Sequence, residues 1–373
     1  MSTSLEIQLI AIIISVACTL PGVFLVLRKM SMMTDSITHT ILLGIVLAFF
    51  VVKDMSSPIL IIGAALMGVI TVWLTEMIVS TKIVSEDSAI GLIFPLLFSI
   101  AIILITKYAG STHLCTDSVL LGELAFAPFD RMVINGCDIG AKSIYTGGIL
   151  LIINLLLVVV FYKELKIATF DPVLAGVMGI SPLIIHYGLM TMVSLTTVVS
   201  FESVGSILVI AFMIGPPITA YLLTDDLKKM IMLSMLFGTL SAISGYQLAY
   251  MFDVSIAGSM AIMVGVIFGI TFICAPRRGI ISILLKRRRQ KREFSEITVL
   301  MHIYNHQNTK EESIENGVAT IYEHLYWERS KLDKMIENLI SRGNIVISNE
   351  VLKLTNKGKE FLIDAANNLI KID

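Results

Sequence analysis

Charged side chains are scarce in this chain of 373 residues, in which Asp, Glu, Lys and Arg together make up 15%. Soluble domains average about 25%, so this composition excludes an ordinary water-soluble enzyme. Four cysteines are too few for a disulfide framework, and a formal net charge of −1 gives no indication of a polyanionic partner. The phosphate-binding pattern G-x-x-x-x-G-K-[ST] is also absent, so the sequence carries no recognisable ATP-hydrolysing motor.

Long apolar runs are abundant instead, because 55% of the residues are hydrophobic. A helix needs about 20 such residues to cross the hydrocarbon core of a bilayer. The first run is kept as a span because a signal peptide would begin with basic residues, and only Glu6 is charged before Arg28. The sequence predicts nine spans, at residues 7–27, 36–52, 58–75, 88–106, 143–162, 183–201, 203–224, 230–252 and 254–276.

The orientation follows from Lys and Arg in the short loops, which collect on the cytoplasmic side of membrane proteins. When the nine spans are threaded alternately, five basic loops fall on one side, and the basic segment 286–293 follows on that side too. We therefore predict an extracellular N-terminus and a cytoplasmic C-terminus in a multi-pass protein of the cell membrane. The basic loop residues are Arg28, Lys29, Lys82, Lys163, Lys166, Lys228, Lys229, Arg277 and Arg278.

One predicted outer loop, residues 107–142, is long. Its apolar stretch Val119–Phe129 indicates a re-entrant segment or a surface helix, and either leaves the orientation unchanged. Cys115 and Cys137 both lie in this loop, so a disulfide between them is an alternative to two free thiols.

Two ionisable residues, Asp35 and His39, stand at the start of the second predicted span. Residues four apart on a helix share one face about 6 Å apart along the axis, so both can hold a single ion. An ionisable residue costs at least about 2.5–3.5 kcal/mol at the bilayer centre, which usually marks an ion path or a buried pair. One carboxylate with one imidazole suits Mn²⁺, Fe²⁺ or Zn²⁺. The alternative is an Asp–His ion pair that caps the helix near the cytoplasmic edge, and spacing alone leaves both interpretations open.

The segment Gly22–His39 resembles the signature of the manganese, zinc and iron ABC-transporter permeases, the ABC-3 family. Similar motifs follow in order, and the resemblance spans about residues 7–285. It implies an all-α membrane permease in which an Asp and a His, matching Asp35 and His39, bind the transported ion. The motifs are Gly22–His39, Glu86–Gly91, Phe170–Gly179, Ser203–Ala211, Pro217–Thr224 and Ala275–Gly279.

The same resemblance implies the partners and the mechanism. A separate ATP-binding cassette subunit hydrolyses ATP, an extracellular metal-binding protein delivers the ion, and a second permease copy, identical or related, completes the path. The chain itself is then no enzyme and holds no permanent cofactor, since the divalent ion, manganese first and zinc or iron next, is its cargo. Transport proceeds by alternating access, and because a ligating imidazole must be neutral, uptake is expected to weaken at acid pH.

Three positions depart from the family pattern. Thr34 stands where Gly usually precedes the Asp, Leu42 stands where Pro is usual, and Glu123 replaces an Asn of the outer-loop pattern. Both ligands of the resemblance are retained, but no third ligand is evident, because the other candidates lie near span ends or suit a hydrogen-bonded core position. These candidates are Glu76, Glu202 and His186.

The segment Lys163–Pro182, on the predicted cytoplasmic side, has the pattern of a short amphipathic helix. Asp171 is a suitable N-cap, Pro172 a suitable first residue and Gly179 a suitable stop. The matching family segment is the coupling helix, through which the ATPases move the spans, and a surface helix in the lipid headgroups is the alternative. The predicted coupling residues are Phe170, Asp171, Pro172, Leu174, Met178 and Gly179.

Two prolines interrupt the seventh predicted span, at Gly215-Pro216-Pro217. Each removes a helix hydrogen bond, so we expect the helix to break there. The break would serve as a pivot during gating or as a static packing kink.

Residues 294–373 differ from the rest, with 9 basic and 13 acidic side chains over 293–373. Helical periodicity followed by an alternating strand pair predicts a small winged helix-turn-helix domain, and the run from Arg342 to Lys359 resembles the DtxR/MntR-type metal-dependent repressors. The acidic balance argues against DNA binding and favours a protein-contact or regulatory role. The predicted elements are helices at 297–304, 321–326 and 328–342, a hairpin at 344–355 and a last helix from Lys357.

The predicted fold class is therefore an all-α polytopic membrane protein of about nine transmembrane helices, with a small cytosolic winged-helix domain. The parts are a permease domain at 1–285, a basic juxtamembrane linker at 286–293 and the winged-helix-like domain at 294–373. The alternative function is a membrane-anchored metal-responsive regulator whose spans tether the tail. His302 and His306, four apart, raise a metal-sensing hypothesis, although both are expected to face solvent.

Overall fold

The fold consists of two compact units, Met1–Ile280 and Ile281–Asp373. The first is almost wholly helical, and the second combines helices with one β-hairpin. The alternative of a Cys115–Cys137 disulfide and the departure at Glu123 involve side chains outside the described part of the chain. The computed structural model describes residues 3–54, 57–108, 124–134, 137–325 and 327–370.

Nine helices of the first unit are long and apolar enough to cross a membrane, counted over the described residues. This number agrees with the prediction, and each predicted span corresponds to one helix. The ends differ by up to about five residues, because capping as well as hydrophobicity determines where a helix begins. In chain order the helices are α1 (Thr3–Leu27), α2 (Ser31–Val52), α3 (Ile59–Val79), α4 (Glu86–Tyr108), α5 (Lys142–Val160), the short α6 (Tyr162–Phe170) and α7 (Pro172–Val177), α8 (Pro182–Val204), α9 (Ser206–Leu223), α10 (Leu227–Phe252) and α11 (Ile256–Cys274).

The two ends of this helix bundle differ in character. The turns α1–α2, α3–α4 and α9–α10, together with α6 and α7, form what we call the basic end. There Arg277 and Arg278, which follow α11, both bind Asp225 of the α9–α10 turn, with N–O distances of 2.8 and 2.5 Å. The opposite end, called the hairpin end, carries the antiparallel strands β1 (Arg131–Ile134) and β2 (Cys137–Ala141).

The predicted break in the seventh span is wrong, because α9 continues without interruption through Pro216 and Pro217. Transmembrane helices tolerate proline where neighbouring groups accommodate the freed carbonyls. Pro217 has no N–H to offer the Met213 carbonyl one turn earlier. That carbonyl faces Gly22 of α1 so closely that a Cβ atom on Gly22 would overlap the oxygen. The helices α1 and α9 therefore pack backbone against backbone at this point.

Polar side chains join the spans inside the bundle. Asn154 of α5 donates from Nδ2 to the Ala17 carbonyl of α1 at 3.0 Å and to Thr196 Oγ1 of α8 at 2.8 Å. The Thr71 hydroxyl of α3 donates to Thr40 Oγ1 of α2 at 2.8 Å. Such hydrogen bonds, together with small residues at the contacts, stabilise helix association in a lipid environment, where apolar surface alone gives little attraction between helices.

The hairpin end is fastened to α1 by a buried charge. Glu6, in the first turn of α1, is 4% exposed, and its Oε2 accepts a hydrogen bond from Arg131 Nη1 at 3.2 Å. The Arg131 Nε also donates to Asp138 Oδ2 of β2 at 2.8 Å. Of the stretch Val119–Phe129, predicted as a re-entrant segment or surface helix, the described residues form a turn and a short 3₁₀ helix at Ala127–Phe129.

The second unit has a hydrophobic core of its own, to which all of its helices and strands except the short helix Glu312–Glu315 contribute. The two strands of its hairpin are joined by a two-residue turn at Asn349 and Glu350. Both residues have the positive φ that such a turn between twisted strands requires, 53° and 63°. The expectation that His302 faces solvent is wrong, since its side chain is 14% exposed. The elements are α12 (Ile280–His306), α13 (Glu312–Glu315), α14 (Ile321–His324), α15 (Arg329–Ser341), β3 (Ile345–Ser348), β4 (Val351–Leu354) and α16 (Asn356–Ile370).

Candidate functional site

Asp35 and His39 lie one turn apart on the same face of α2. Asp35 Oδ1 is 3.5 Å from His39 Nε2, and the two side chains are 42% and 33% exposed. Two ligands that each stand about 2.1 Å from one tetrahedral ion are about 3.4 Å apart, so this separation suits joint coordination of a single ion. The structure thus brings together the two residues that the sequence singled out.

Asp35 does not cap α2. The helix begins at Ser31, and Met30 occupies the N-cap position without a side-chain hydrogen bond to the helix end. Asp35 lies about 6 Å further along the axis, beyond the first turn. The interpretation of the pair as a helix cap is therefore wrong, and its role in ion binding stays a prediction.

His39 is packed against α4, and neighbouring positions of α2 contact other helices. The His39 ring centroid is 5.4 Å from that of Phe94 and 5.9 Å from that of Phe98, both on α4. Thr34 is fully buried and donates its hydroxyl to Met213 Sδ of α9 at 3.5 Å. Leu42 is buried in the apolar cluster that joins α2, α3 and α4. Thr34 and Leu42, the two described departures from the family pattern, thus contribute to helix packing.

A second group of ionisable side chains lies at the basic end, where α3 and α8 meet the end of α1. Glu76 Oε1 is 2.5 Å from His186 Nε2, and Glu76 Oε2 accepts a hydrogen bond from the Tyr187 hydroxyl at 2.6 Å. Arg28 Nη1 is 3.3 Å from His186 Nδ1, and Arg28 Nε donates to Thr169 Oγ1 at 3.2 Å. The His186 ring therefore lies between two charged side chains, with Glu76 beside Nε2 and Arg28 beside Nδ1. Local spacing gives no sign of this group, because Glu76 and Tyr187 are 111 positions apart in the chain. In the sequence, Glu76 and His186 stand out only as separate ionisable residues near or within apolar spans.

Glu202 is placed away from both groups. It lies at the hairpin end, where its Oε1 is 3.4 Å from Lys142 Nζ, and the same Nζ is 3.6 Å from Asp130 Oδ2. Over the part of the chain that the structure describes, no third His, Cys, Asp or Glu side chain forms a compact group with Asp35 and His39. Among the described residues, the group on α2 thus consists of one carboxylate and one imidazole.

The predicted coupling segment has the expected local structure. Asp171 caps α7, since its Oδ1 accepts the Leu174 backbone N–H at 2.9 Å, and Pro172 is the first helical residue. Gly179, with φ of +81°, adopts the left-handed conformation that ends the segment. The large apolar side chains here are exposed at Phe170, Val173, Leu174, Val177 and Met178. Contact of this segment with an ATPase is a prediction that the geometry permits.

A cleft of about 1340 Å³ opens at the basic end between α6 and the α9–α10 turn. More cations than carboxylates line it, so the cleft is electropositive. The pKa of Asp226 lies below its ordinary value, because the backbone N–H groups of Lys229 and Lys228 donate to this N-cap residue of α10. Its charged residues are Lys163, Lys166, Asp225, Asp226, Lys228, Lys229 and Arg277.

Known proteins resemble the chain over most of its length. It is 42% identical over 355 residues to the zinc transport system membrane protein TroD of Treponema pallidum, covering 95% of this chain and 96% of that protein. It is 45% identical over 292 residues to the manganese transport system membrane protein MntD of Bacillus subtilis, covering 78% and 99%. A solved structure of PsaBC from Streptococcus pneumoniae, in complex with Fab, aligns with a TM-score of 0.62 and 31% identity over 74% of this chain and 94% of that one.

The family model described as "ABC 3 transport family" matches residues 3–275, which contain all nine candidate spans of the described residues. A chain with these spans is a multi-pass protein of the cell membrane. The family match and the two relatives agree over the same helices. The chain belongs to the ABC 3 transport family.

Proposed function

We propose that the chain is the permease subunit of an ABC importer for divalent transition-metal ions, Mn²⁺ first and Zn²⁺ or Fe²⁺ next. The observation that carries the proposal is the 3.5 Å separation of Asp35 Oδ1 and His39 Nε2 on α2. A mixed oxygen and nitrogen donor set favours these ions over Mg²⁺ and Ca²⁺, which prefer oxygen ligands. The names of the relatives, transport-system membrane proteins for zinc and for manganese, support this class of cargo.

In the proposed mechanism an extracellular metal-binding protein delivers the ion and the permease holds it briefly. The Asp35 carboxylate offsets part of the ion's charge, and His39 donates a neutral ring nitrogen. ATP hydrolysis in separate ATP-binding subunits then changes which side of the membrane is open, so the chain is no enzyme and the ion is cargo. Because the pair supplies two ligands, water or a second permease copy completes the coordination shell, and the likeness to a chain of PsaBC supports an assembly of permeases.

The basic end faces the cytoplasm in this proposal, with the N-terminus outside and the tail inside. Lys and Arg of the short loops support this orientation. The exposed apolar side chains of α7 then contact the ATP-binding subunit, and the capped, proline-initiated helix gives that contact a fixed geometry. We assign the coupling role to α7 on this basis.

For the second unit we propose a winged-helix domain with a regulatory or protein-contact role. The order of helices before the hairpin and of one helix after it supports this fold. The excess of acidic over basic residues, 13 against 9 over residues 293–373, argues against tight binding of DNA.

The proposal is tested by uptake of radioactive Mn²⁺, Zn²⁺ and Fe²⁺ into proteoliposomes that contain the permease and its ATP-binding subunit. We expect Asp35→Asn and His39→Gln each to reduce uptake by at least about tenfold, since a coordinating group contributes more than the outer groups whose loss costs 10–100-fold. The measurement is the initial rate at several ion concentrations, with ATP present or absent.

Asp87→Asn is the matched control, because it removes the charge of an exposed carboxylate, in the first turn of α4, that is not part of the proposed ligand pair. This variant is expected to transport at the normal rate. Normal uptake of all three ions by both the Asp35 and the His39 variants would refute the ligand assignment.

A further inference from the structure

The second unit contains a compact group of imidazole and carboxylate side chains that the proposed transport path does not use. His302 and His306 lie one turn apart on α12, and Glu315 is the last residue of α13. Ligand atoms of these three residues all lie within 4.8 Å of one another. Within the described ranges of the chain, no other set of three His, Cys, Asp or Glu side chains is this close.

A further imidazole adjoins the same carboxylate. His324, the last residue of α14, places Nδ1 3.1 Å from Glu315 Oε2, and His302 Nε2 is 3.7 Å from that oxygen. The ring centroids of His302 and His306 are 4.7 Å apart, and those of His302 and His324 are 6.4 Å apart. Three helices that are separate in sequence thus bring nitrogen and oxygen donors to one place.

Buried hydrogen bonds hold the supporting backbone. Asn316 is fully buried, and its side-chain Nδ2 donates to the Ile303 backbone carbonyl of α12 at 3.1 Å. The backbone carbonyl of Asn316 accepts the Leu352 N–H of β4 at 2.9 Å. His302 Nε2 also lies 3.1 Å from the Glu315 carbonyl oxygen, so as an N–H donor this nitrogen orients the imidazole ring and leaves Nδ1 as the ligand atom. The elements that carry the donors are therefore fixed before any ion binds, as in metal sites with ordered supporting groups.

We propose that His302, His306, Glu315 and His324 form a metal-ion site in the second unit, separate from the pair on α2. Donors of a tetrahedral ion stand about 3.4 Å apart, close to the 3.1 Å between His324 Nδ1 and Glu315 Oε2. A donor set of imidazoles with one carboxylate selects a divalent transition-metal ion, Zn²⁺ foremost, and disfavours Mg²⁺ and Ca²⁺. The bound ion links α12, α13 and α14 and stabilises the unit in which they lie.

The site is tested on the full-length chain in detergent, in an Asp35→Ala/His39→Ala background that removes the proposed transport ligands. Co²⁺ serves as the probe, because its visible absorption reports nitrogen and oxygen coordination, and Zn²⁺ competes with it. We expect one Co²⁺ per chain in this background. Adding Glu315→Gln or His306→Gln is expected to weaken Co²⁺ binding by at least about tenfold.

Glu337→Gln is the matched control, since Glu337 is an exposed carboxylate on α15 in the same unit. It is expected to bind Co²⁺ as the background does. Tail folding is followed by the fluorescence of Trp327 in chains that also carry Trp73→Phe, since Trp73 is the other tryptophan of the sequence, and this signal should become more resistant to heating when Zn²⁺ is added. A background chain that binds no Co²⁺, or Glu315→Gln and His306→Gln variants that bind it unchanged, would show that the cluster is an ion pair without metal affinity and would overturn the proposal. Because the α2 pair is already absent, either result is independent of the transport assignment.

Discussion

At the scale of single residues, Gly22 sets how closely two central helices approach. The position has no room for a Cβ atom, because the Met213 carbonyl of α9 occupies that space. Pro217 has no N–H to donate to the Met213 carbonyl, so this oxygen lacks the hydrogen-bond partner that the residue four positions later usually supplies within a helix. The backbone of α1 at Gly22 packs directly against it. The absence of a side chain at Gly22 is thus a packing requirement of α1 and α9.

We expect Gly22→Val to lower the free energy of unfolding by about 1–3 kcal/mol, the usual cost of overpacking a core. Thermal unfolding in detergent micelles measures the effect. Gly148→Val is the control, because nothing lies within 4 Å of a Cβ atom at that position of α5. Equal stability of the two variants would contradict the packing role of Gly22.

The sequence predicts the Asp35–His39 pair but not the Glu76–His186 pair, and the reason is distance along the chain. Residues four apart on one helix must share a face, whatever the tertiary fold. Glu76 and His186 belong to α3 and α8, so only the packing of those two helices brings them together. For the same reason, spacing along the chain does not predict that α12, α13 and α14 bring their His and Glu side chains together around Glu315.

At the scale of elements, α7 presents an apolar surface that the proposed function assigns to an ATP-binding subunit. Val173 and Val177 lie one turn apart and are 78% and 81% exposed. Replacing either by Glu adds a charge to this surface without disturbing a buried contact. We expect Val173→Glu and Val177→Glu to reduce ATP-dependent uptake about tenfold, which corresponds to about 1.4 kcal/mol of lost docking energy.

Uptake into proteoliposomes and co-purification of the ATP-binding subunit measure this prediction. Ile83→Glu is the control, because Ile83 is an equally exposed apolar residue in the α3–α4 turn at the same end. Normal uptake by both α7 variants would exclude α7 as the coupling element.

The hairpin β1–β2 is expected to depend on pH. Hydrogen bonds from Arg131 hold the pKa of the Asp138 carboxyl below its ordinary value, and the Gly140 N–H lowers it further. A carboxyl whose pKa is lower in the folded state stabilises the fold above its unfolded pKa, about 3.9, and this contribution is lost as the pH falls through the folded value. Hydrogen exchange of the hairpin amides, corrected for intrinsic rates, should therefore show less protection at acid pH.

Asp138→Asn provides the comparison, since it removes the titrating group. The variant is expected to show low protection already at neutral pH and little further change on acidification. Equal acid sensitivity of both proteins would assign the effect to another group.

Most helices of the first unit are predictable, because about 20 apolar residues in a row have few alternatives in a membrane protein. The ends of these helices are harder to predict, since α2 begins five residues before its apolar run and therefore includes Asp35. The uninterrupted α9 shows a second limit. The prolines predict lost hydrogen bonds correctly, but the close approach of α1 at Gly22 depends on tertiary packing.

At the scale of the whole molecule, two units with separate cores suggest separable tasks. The first unit contains Asp35, His39 and α7, and the second has its own apolar cluster. We therefore expect deletion of residues 288–373 to leave uptake of the metal ion intact in proteoliposomes. Absence of uptake with both the full-length and the shortened chain would instead favour the membrane-anchored regulator, and loss of uptake on deletion alone would show that transport needs the tail.

The division into a membrane part and a tail is visible in the sequence, since apolar runs stop and charged residues become frequent after residue 292. The arrangement of the nine helices is not, because hydrophobicity marks spans without saying which of them lies innermost.

The helix α1 is the most buried of the nine candidate spans among the described residues. In its most apolar stretch 72% of the residues are buried, against 17% for α11. A helix that is surrounded by other helices cannot tilt unless those helices move as well. In the proposed transport cycle we therefore expect α1 to keep its position. In that cycle we expect the movement that changes access to Asp35 and His39 to occur in α2, α3 and α4, which share an apolar cluster of their own and are less buried than α1, at 56%, 39% and 33%.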